Sequence, residues 1–484
     1  MKRLIFVLTF ILLPVLHVSA QQVVSGRLLS MGGLSTAASR DVDAIGTNPA
    51  NLVGLSKGSF VLELAPLYVS AGTDFLSMDL YNSYFTGVKD STGNTVGKYL
   101  TPADKQALLD AFPNGVGDVR FDTDVRLLAF SIRGTNYGLG FAVDEFLGAK
   151  LNIPNTILFP LNGNPPGSTL SWDKMGAAMW WYRAYSLEYA HRLPKLIFMP
   201  SRIADDFVVG LGIKYVQGYS YAALERSTTS FYTSPNDYSY TLNLGFDAVR
   251  SGLISNVISK NAKSTVGDTV VNFNPLAPAG SGLGFDIGFS AKVLGFIDAG
   301  ISFTDLGSVT WTQNVVATTG DTSFTYSGFS PASKDVINAK SNVDSLTDAF
   351  NNFFKNRDQI ASSFSTSLPG KLNVSLAIRL DEILPLIPGR MMVGIDYHQG
   401  LNNSFNNSTN PQIVLGAEWR PVYIFPLRSG VSFGGPYGFR WSLGTGINMP
   451  FWDIDIGIVT FNALAATNQA KSVSVVLSAL KFRF

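Results

Sequence analysis

The residues best able to do chemistry in this sequence are carboxylates two positions apart and a histidine beside a carboxylate. Asp453 and Asp455 would share one face of an extended strand, about 7 Å apart. Such a pair could bind a cation or act as general acid and base. His398 follows Asp396 at the same spacing. Six basic residues are predicted to point to the same side of their strands as these carboxylates, the side that faces the interior of the barrel predicted below: Lys214, Lys292, Arg379, Arg420, Lys481 and Arg483. They favour ion pairs over catalysis for Asp453 and Asp455, and His398 beside Asp396 is predicted to form a polar lumen pair.

Motifs of the common catalytic and metal centres are missing from the sequence. It contains three His, of which His17 lies in the leader segment described below, and no Cys. No HExxH, Cys/His cluster or phosphate-binding loop occurs, and no Ser has the local signature of an activated nucleophile. We therefore predict a protein that is not an enzyme, with no catalytic residue, no metal and no cofactor.

The elements that would position these residues are long strands with a repeat of two. Apolar side chains alternate with Gly, Ser, Asn and isolated charges, as in residues 283–293 and 372–380. We count about 14 to 16 such runs of roughly 9–13 residues, longer than the ~5–6 residues of a typical soluble strand. A strand that crosses a bilayer needs ~9–11 residues. The predicted fold class is all-β, a transmembrane antiparallel β-barrel of about 14 strands.

Composition favours this barrel over a soluble β-sandwich, which is the alternative. A sandwich would present Lys, Glu and Thr to water, whereas the second face here consists mainly of Gly, Ser and Asn, with 46 Gly and 15 % charged residues overall. The formal net charge of +1 provides no basic field, so no nucleic-acid partner is expected.

The first twenty residues predict a secretory signal peptide. Residues 1–3 are a basic start, 4–16 are mostly apolar, and 18–20 supply small residues for cleavage after Ala20. The apolar run is about 13 residues, and a membrane helix needs roughly 20. Export combined with a barrel predicts the outer membrane of a diderm bacterium.

Three regions follow from these patterns. They are the signal peptide at 1–20, an N-terminal plug or hatch at 21–57, and the barrel at 58–484, with long loops at about 84–122, 148–175, 249–281 and 310–371. Thr101 to Phe112 has an N-cap Thr followed by Pro, which predicts a short helix. Two further helical segments are predicted at 249–261 and 335–363.

Aromatic residues cluster where a barrel would meet the membrane interfaces. Trp180-Trp181-Tyr182, Trp419, Trp441 and Trp452 are predicted to form interfacial girdles. The alternative is that they line a ligand groove.

The C-terminal strand ends in Phe. Leu480, Phe482 and Phe484 share one face and resemble the signal read by the barrel assembly machinery, so that machinery and the lipid bilayer are expected partners. Ser478 falls on the apolar parity, while Val473, Val475 and Leu477 fall on the other. A β-bulge, or a buried stretch facing the lumen, would explain this change.

The segment before the first strand does not alternate. Paired glycines allow backbone turns that a Cβ would obstruct, and Pro49 biases the residue before it away from helix. We interpret the segment as a compact plug inside the barrel. The residues predicted to form the core of this plug, or hatch, are Met31, Gly32, Gly33, Asn48, Pro49 and Ala50.

This segment resembles the N-terminal segment of FadL-type long-chain fatty-acid transporters and of PorV-type barrels of type IX secretion systems. The resemblance covers about 25 residues, with Gly46-Thr47 in place of the usual aromatic residue and Asn51 where Gly is common. It implies a barrel for passive transport of hydrophobic or amphipathic small molecules, gated by the hatch. The alternative is a PorV-type structural or secretion-associated barrel that binds secretion-system proteins through its outer loops. A plug with a purely structural role also fits the segment.

Overall fold

Fourteen antiparallel strands pair in chain order and close into a barrel. The computed structural model describes residues 25–53, 60–194, 204–255, 277–326, 358–405, 407–435 and 438–484. The barrel strands are β1 (Phe60–Leu64, continuing as Leu67–Thr73), β2 (Val116–Arg133), β3 (Tyr137–Pro154), β4 (Gly176–Arg192), β5 (Ala204–Ser227), β6 (Gly280–Val293), β7 (Ile297–Trp311), β8 (Phe364–Ser367, continuing as Lys371–Arg379), β9 (Arg390–Gly400), β10 (Gln412–Val422), β11 (Phe425–Gly434), β12 (Arg440–Asn448), β13 (Trp452–Ile458) and β14 (Ser472–Arg483).

The barrel closes because β1 pairs with both β2 and the last strand, β14. Leu62 lies opposite Phe130 on one side and Phe482 on the other. Each barrel strand therefore has two hydrogen-bonded neighbours. In lipid this closure is required, since no water is present to satisfy an open edge. The predicted all-β fold class and strand number are confirmed.

The two faces of the wall differ as the alternation predicts. On β5, Leu211, Ile213 and Tyr215 are 43 to 55 % exposed on the outside, whereas Lys214 between them is 5 % exposed on the inside. Leu, Ile, Val, Phe and Tyr recur along the outer surface. An apolar outer belt around a polar interior is the surface of a transmembrane barrel.

The two ends of the barrel differ in loop length. At the end that holds Phe60 and Phe484, here the terminal end, residues 134–136 join β2 to β3 and residues 423–424 join β10 to β11. At the opposite loop end, Tyr240–Gly252 pairs with the end of β5 and with Val316–Tyr326. Three short strands complete this loop-end sheet: Thr169–Ser171, Ser230–Thr233 and Asp358–Ile360.

Helices and small elements lie outside the wall strands. They are α1 (Gly26–Ser30), α2 (Met78–Tyr84), α3 (Pro102–Asp110), α4 (Phe159–Asn162), α5 (Leu380–Ile383) and α6 (Phe461–Ala465), with 3-10 turns at Asp41–Ala44, Pro49–Val53, Pro113–Gly115, Asn155–Leu158 and Thr467–Gln469 and a hairpin of Val88–Lys89 with Thr95–Val96. None of the described helices has the length and hydropathy needed to span a membrane. Thr101 caps α3 in a capping box with Asp104, as the sequence predicts.

The prediction of a helix at 249–261 is wrong for its first four residues. Residues 249–252 complete a strand, residues 253–255 are helical, and residues 256–261 lie outside the described part. Of the predicted segment 335–363, residues 335–357 lie outside the described part and 358–360 form a strand. Strands also extend into the predicted loops, since β2 begins at Val116 and β3 ends at Pro154. The wall therefore continues beyond the length that the alternation indicates.

Residues 25–53 fold inside the barrel and are here called the plug. The plug consists of α1 and the 3-10 turns Asp41–Ala44 and Pro49–Val53. Its apolar side chains are at most 3 % exposed, among them Leu28, Leu29, Ile45 and Leu52.

Glycines on the inner face let the plug lie directly against the wall backbone. A Cβ on Gly430 would overlap the backbone of Met31, and a Cβ on Gly210 would overlap the backbone of Pro49 and Ala50. A Cβ on other inner-face glycines would also meet plug atoms, some of them backbone and most of them side chain: Gly138, Gly140, Gly288, Gly300, Gly394, Gly416, Gly444 and Gly457. The alternation of apolar residues with Gly in the sequence thus has a packing cause.

β14 contains a bulge that accounts for its change of parity. Asp453 pairs with Lys481, but Asp455 pairs with Ser478, so β14 has one extra residue between these pairs. Val473, Val475 and Leu477 face outward before the bulge, and Leu480 and Phe484 face outward after it. The assembly role of Leu480, Phe482 and Phe484 stays a prediction.

We predict that Gly430→Val destabilises the folded barrel by about 1–3 kcal/mol, because the new side chain must displace plug backbone. The measurement is the temperature at which the purified protein loses its folded migration in SDS gels. Gly97→Val is the matched control, since Gly97 lies in a loop with open space around it. Equal transition temperatures for the two variants would refute tight packing between plug and wall.

Candidate functional site

The six residues nominated for the hatch lie in the lumen as two groups. Met31 is fully buried against β10 and β11, and Gly32 and Gly33 follow with φ of 77° and 94°, which turn the chain out of α1. Asn48, Pro49 and Ala50 lie against β5 and β6 on a distant section of the wall. The plug therefore spans the lumen between these two sections.

Asn48 joins two parts of the plug to the wall. Its Nδ2 donates to the carbonyl of Phe289 on β6 at 3.2 Å and to the carbonyl of Thr36 at 3.3 Å. Its Oδ1 accepts from the N–H of Ala50 at 3.2 Å. The Asn-Pro-Ala sequence thus serves local folding and docking together, since one side chain satisfies three buried backbone groups.

Asp396 on β9 holds the middle of the plug. Its Oδ2 accepts from the N–H of Ser35 at 2.7 Å and from the N–H of Thr36 at 3.0 Å. His398 Nε2 lies 3.6 Å from the same oxygen, and His398 Nδ1 lies 2.7 Å from Asn373 Oδ1. The Asp396–His398 pair is therefore a polar lumen contact.

Positively and negatively charged side chains of the wall form hydrogen bonds to the plug turn at residues 42–46. Arg126 of β2 donates to the carbonyls of Val42 at 2.8 Å and Ile45 at 3.1 Å, while its Nε donates to Asp144 at 2.8 Å. Glu188 of β4 accepts from the N–H of Gly46 at 2.8 Å. Because Arg126 and Glu188 are each 1 % exposed, these are bonds formed away from bulk water.

Two acidic residues of the plug pair with the last strand. Lys481 Nζ lies 2.8 Å from Asp43 Oδ1, and Arg483 Nη1 lies 2.8 Å from Asp41 Oδ2. Burial by itself raises the pKa of Asp43, but the charge and hydrogen bond of Lys481, together with the charge of Arg27 and a hydrogen bond from Ser25, outweigh it and place this pKa below its ordinary value of 3.8. Because this pKa is lower in the folded state, the ion pair stabilises the fold at pH values above 3.8. That stabilisation is lost as the pH falls below 3.8.

The carboxylates at 453 and 455 are satisfied by arginines. Arg483 lies 2.8 Å from Asp453, and Arg428 lies 2.6 Å from both Asp455 and Glu418. Within the described part of the chain, no three His, Asp or Glu side chains are grouped so that they could hold a metal ion. The geometry is that of the predicted ion-pair network.

The plug separates two cavities. On the terminal side, a vestibule of about 470 Å³ is lined by charged residues of the wall and by Arg27, Arg40, Asp41 and Asp43 of the plug. On the loop side, a chamber of about 90 Å³ has Leu28, Leu29, Gly33, Ser35, Gly46 and Thr47 as its plug-facing lining.

The chamber contains aromatic residues that were assigned to a girdle. Trp180 and Tyr182 are 2 % and 3 % exposed on the inner face, so their assignment to an interfacial girdle is wrong, and both line the chamber. The alternation along β4 could have shown that both side chains point inward, since they lie on the same face of the strand as Ser186 and Glu188. Trp419, Trp441 and Trp452 lie on the outer face, as predicted.

Two further aromatic residues were missed, Phe405 in the lining of the chamber and Trp311 in the cluster packed behind it. The ring of Phe405 lies 5.0 Å from that of Tyr182 and 5.4 Å from that of Trp180. Trp311 is fully buried in the same cluster and donates to Thr366 Oγ1 at 2.9 Å. Phe405 lies in an Asn-rich loop without strand periodicity, and therefore no sequence pattern indicated its position.

Fold and site together define a plugged transmembrane β-barrel. The chain belongs to a family of unknown function, DUF5723, whose profile matches residues 49–456. A comparison with curated proteins found no match.

Three solved structures are similar to the chain over nearly its whole length. A FadL homologue from Pseudomonas aeruginosa is 11 % identical at a TM-score of 0.45, with 97 % of this chain and 100 % of that chain covered. The toluene transporter TbuX of Ralstonia pickettii is 14 % identical at a TM-score of 0.44, with 94 % and 97 % covered. The toluene transporter TodX of Pseudomonas putida is 9 % identical at a TM-score of 0.42, with 96 % and 98 % covered.

We predict that Asp396→Asn loosens the plug, because bonds to a charged acceptor contribute about 1.5–3 kcal/mol. The chain has no native Cys, so Ser39→Cys places a single fully buried reporter thiol in the plug. Maleimide labelling of that thiol should become ~10-fold faster or more when Asp396→Asn is added.

The control for this labelling experiment is Asp79→Asn, which changes an exposed loop carboxylate. Equal labelling rates for the Asp396→Asn and Asp79→Asn variants would contradict the role of Asp396 in holding the plug.

Proposed function

We propose that the protein is an outer-membrane barrel for passive transport of hydrophobic or amphipathic small molecules, with the plug as its hatch. The observation that carries the proposal is the order of features along the lumen: an aromatic chamber, the plug, and a charged vestibule. Ligand would enter the chamber from the loop end and leave through the vestibule. Export by the signal peptide at 1–20 and insertion by the assembly machinery belong to this proposal.

The chemistry of the chamber supports a ligand with an apolar part. Trp180, Tyr182 and Phe405 offer aromatic faces, and binding pockets for small molecules are typically apolar with a few polar groups. At about 90 Å³ the chamber is smaller than the ~150 Å³ cavity that accepts benzene. Ligands of that size or larger therefore require movement of the plug or of the loop that carries Phe405.

The contacts of the plug define what opening would cost. Moving the 42–46 turn breaks its bonds to Arg126 and Glu188, and moving residues 35–36 breaks those to Asp396. Buried charges left without partners are strongly destabilising. We therefore propose a local rearrangement of the plug in which water replaces its partners, in place of complete expulsion.

We predict that a disulfide between plug and wall abolishes transport. A Cβ on Gly457 would lie 3.3 Å from the Cβ of Ser30, close to the ~3.5–4.5 Å found in disulfides. The Ser30→Cys/Gly457→Cys protein is expressed in the outer membrane of diderm cells, and uptake of the neutral fluorophore 1-N-phenylnaphthylamine is followed. Oxidation should reduce uptake to that of cells lacking the barrel, and reduction should restore it.

The single variant Ser30→Cys is the control and should not respond to oxidation. Unchanged uptake by a fully cross-linked double variant would rule out a hatch that opens at this contact. Uptake equal to that of barrel-free cells in every state would contradict transport of neutral apolar molecules.

The second candidate function is a PorV-type barrel that binds secretion-system proteins through its outer loops. It is favoured by the loop-end sheet, whose strand Val316–Tyr326 pairs with Tyr240–Gly252 along its whole length. Such an extension enlarges the surface beyond the wall. Stable co-purification of secretion-system proteins, lost when residues 240–252 and 316–326 are replaced by a short linker, would support this function over transport.

A further inference from the structure

The chamber has an acidic and aromatic wall built from two cross-strand rows. Asp124 of β2 lies opposite Phe146 of β3, which lies opposite Tyr182 of β4. One row further on, Asp122, Gly148 and Trp180 follow the same order. Because paired positions on neighbouring strands are about 5 Å apart, each row places a carboxylate beside aromatic rings.

Gly148 leaves room for the ring of Trp180 to lie beside the carboxylate of Asp122. A Cβ on Gly148 would overlap the ring of Trp180 and would lie 2.8 Å from Asp122 Oδ1. The indole therefore covers the glycine next to the carboxylate. A carboxylate beside aromatic faces suits an organic ammonium group, which gains both ion pairing and cation–π attraction.

The other side of the chamber is basic. Lys371 of β8, His398 of β9 and Arg440 of β12 line it, and β8 is six strands away from β2 around the barrel. A ligand that fills the chamber therefore meets carboxylates on one side and cations on the other.

Asp124 and Lys371 differ from most charges of this lumen because neither forms an ion pair or a side-chain hydrogen bond with any residue that the structure describes, although the two lie within electrostatic range of each other. Asp124 is 2 % exposed, and its Oδ2 accepts no hydrogen bond from any residue that the structure describes. Among the described residues, Lys371 is half-buried and takes part in no ion pair. By contrast, Lys481 pairs with Asp43, and Lys214 lies 2.9 Å from Asp286 and 2.5 Å from Asp305. A buried charge without a partner is costly unless a ligand or water satisfies it.

We propose that the chamber recognises a small aromatic zwitterion, a molecule with an apolar ring, an ammonium group and a carboxylate. The ammonium binds Asp124 beside Phe146 and Tyr182, and the carboxylate binds Lys371. The ring packs against Trp180 and Phe405 after the plug or the loop that carries Phe405 has moved to enlarge the chamber. The inference rests on the proposed transport function and deepens it, since it names the charge pattern of the ligand.

The test uses four probes that share a phenylethyl skeleton and differ in whether they carry an ammonium group, a carboxylate, both or neither: phenylalanine, phenethylamine, 3-phenylpropionate and ethylbenzene. Their binding to the purified full-length barrel in detergent is measured by calorimetry. Phenylalanine should bind tightest, and loss of either charged group should weaken binding about tenfold or more. Ethylbenzene binding as tightly as phenylalanine, or no binding by any probe, overturns the inference.

Two variants assign the charges. Asp124→Asn should weaken the binding of phenylalanine and phenethylamine about tenfold and leave that of 3-phenylpropionate unchanged. Lys371→Met should weaken the binding of phenylalanine and 3-phenylpropionate about tenfold and leave that of phenethylamine unchanged. Asp110→Asn, in an exposed loop helix, is the control. If all probes weaken equally in both variants, the inference is overturned. The probe series on the unaltered protein decides the matter even if a variant fails to fold.

Failure of this inference is separable from failure of the proposed function. Uptake of the neutral fluorophore by the reduced double-cysteine variant tests transport without any charged ligand. Transport of that fluorophore combined with equal binding of all four probes would leave the hatch function standing and remove only the zwitterion site.

Discussion

The plug and the wall share one buried electrostatic network, and the rest of the structure depends on it. A closed barrel forces every inward side chain of a narrow wall into a space with little water. Charges there are stable only when they are paired and hydrogen-bonded. The plug supplies partners that the wall lacks: the carboxylates of Asp41 and Asp43, and backbone groups of residues 35–46. It is therefore part of the folded interior, although it belongs to no wall strand.

This network also limits how the lumen can open. Arg428 is shared between Glu418 and Asp455, and Glu418 also pairs with Arg27 of the plug. A shift of α1 therefore changes the environment of wall charges that do not contact it directly.

Much of the architecture could be predicted because lipid imposes a local rule. Each outward residue must be apolar and each inward residue must fit the lumen, so alternation along β5 or β8 identifies a strand without knowledge of its neighbours. Even the broken parity of β14 has a local cause, namely its bulge at residues 479–480. The girdle assignment of Trp180 and Tyr182 was wrong because aromatic residues suit both an interface and an apolar chamber, and only their parity separates the two. The helix predicted at 249–261 was wrong at its start because the loop-end sheet continues the wall beyond the membrane, where pairing with Val316–Tyr326 overrides local preference.

The sequence by itself determined the strands, their outer and inner faces, the separate N-terminal segment, the ion-pair character of Asp453 and Asp455, and the polar contact of Asp396 with His398. Only the tertiary structure decided which inward groups meet. Lys481 reaches Asp43 across 438 positions of the chain, and Asp396 reaches Ser35 across 361. The same holds for the juxtaposition of Asp124 with Phe146 and Tyr182. The physical reason is that alternation is a property of each strand, whereas lumen contacts depend on strand register, closure and the path of the plug, which no local pattern encodes.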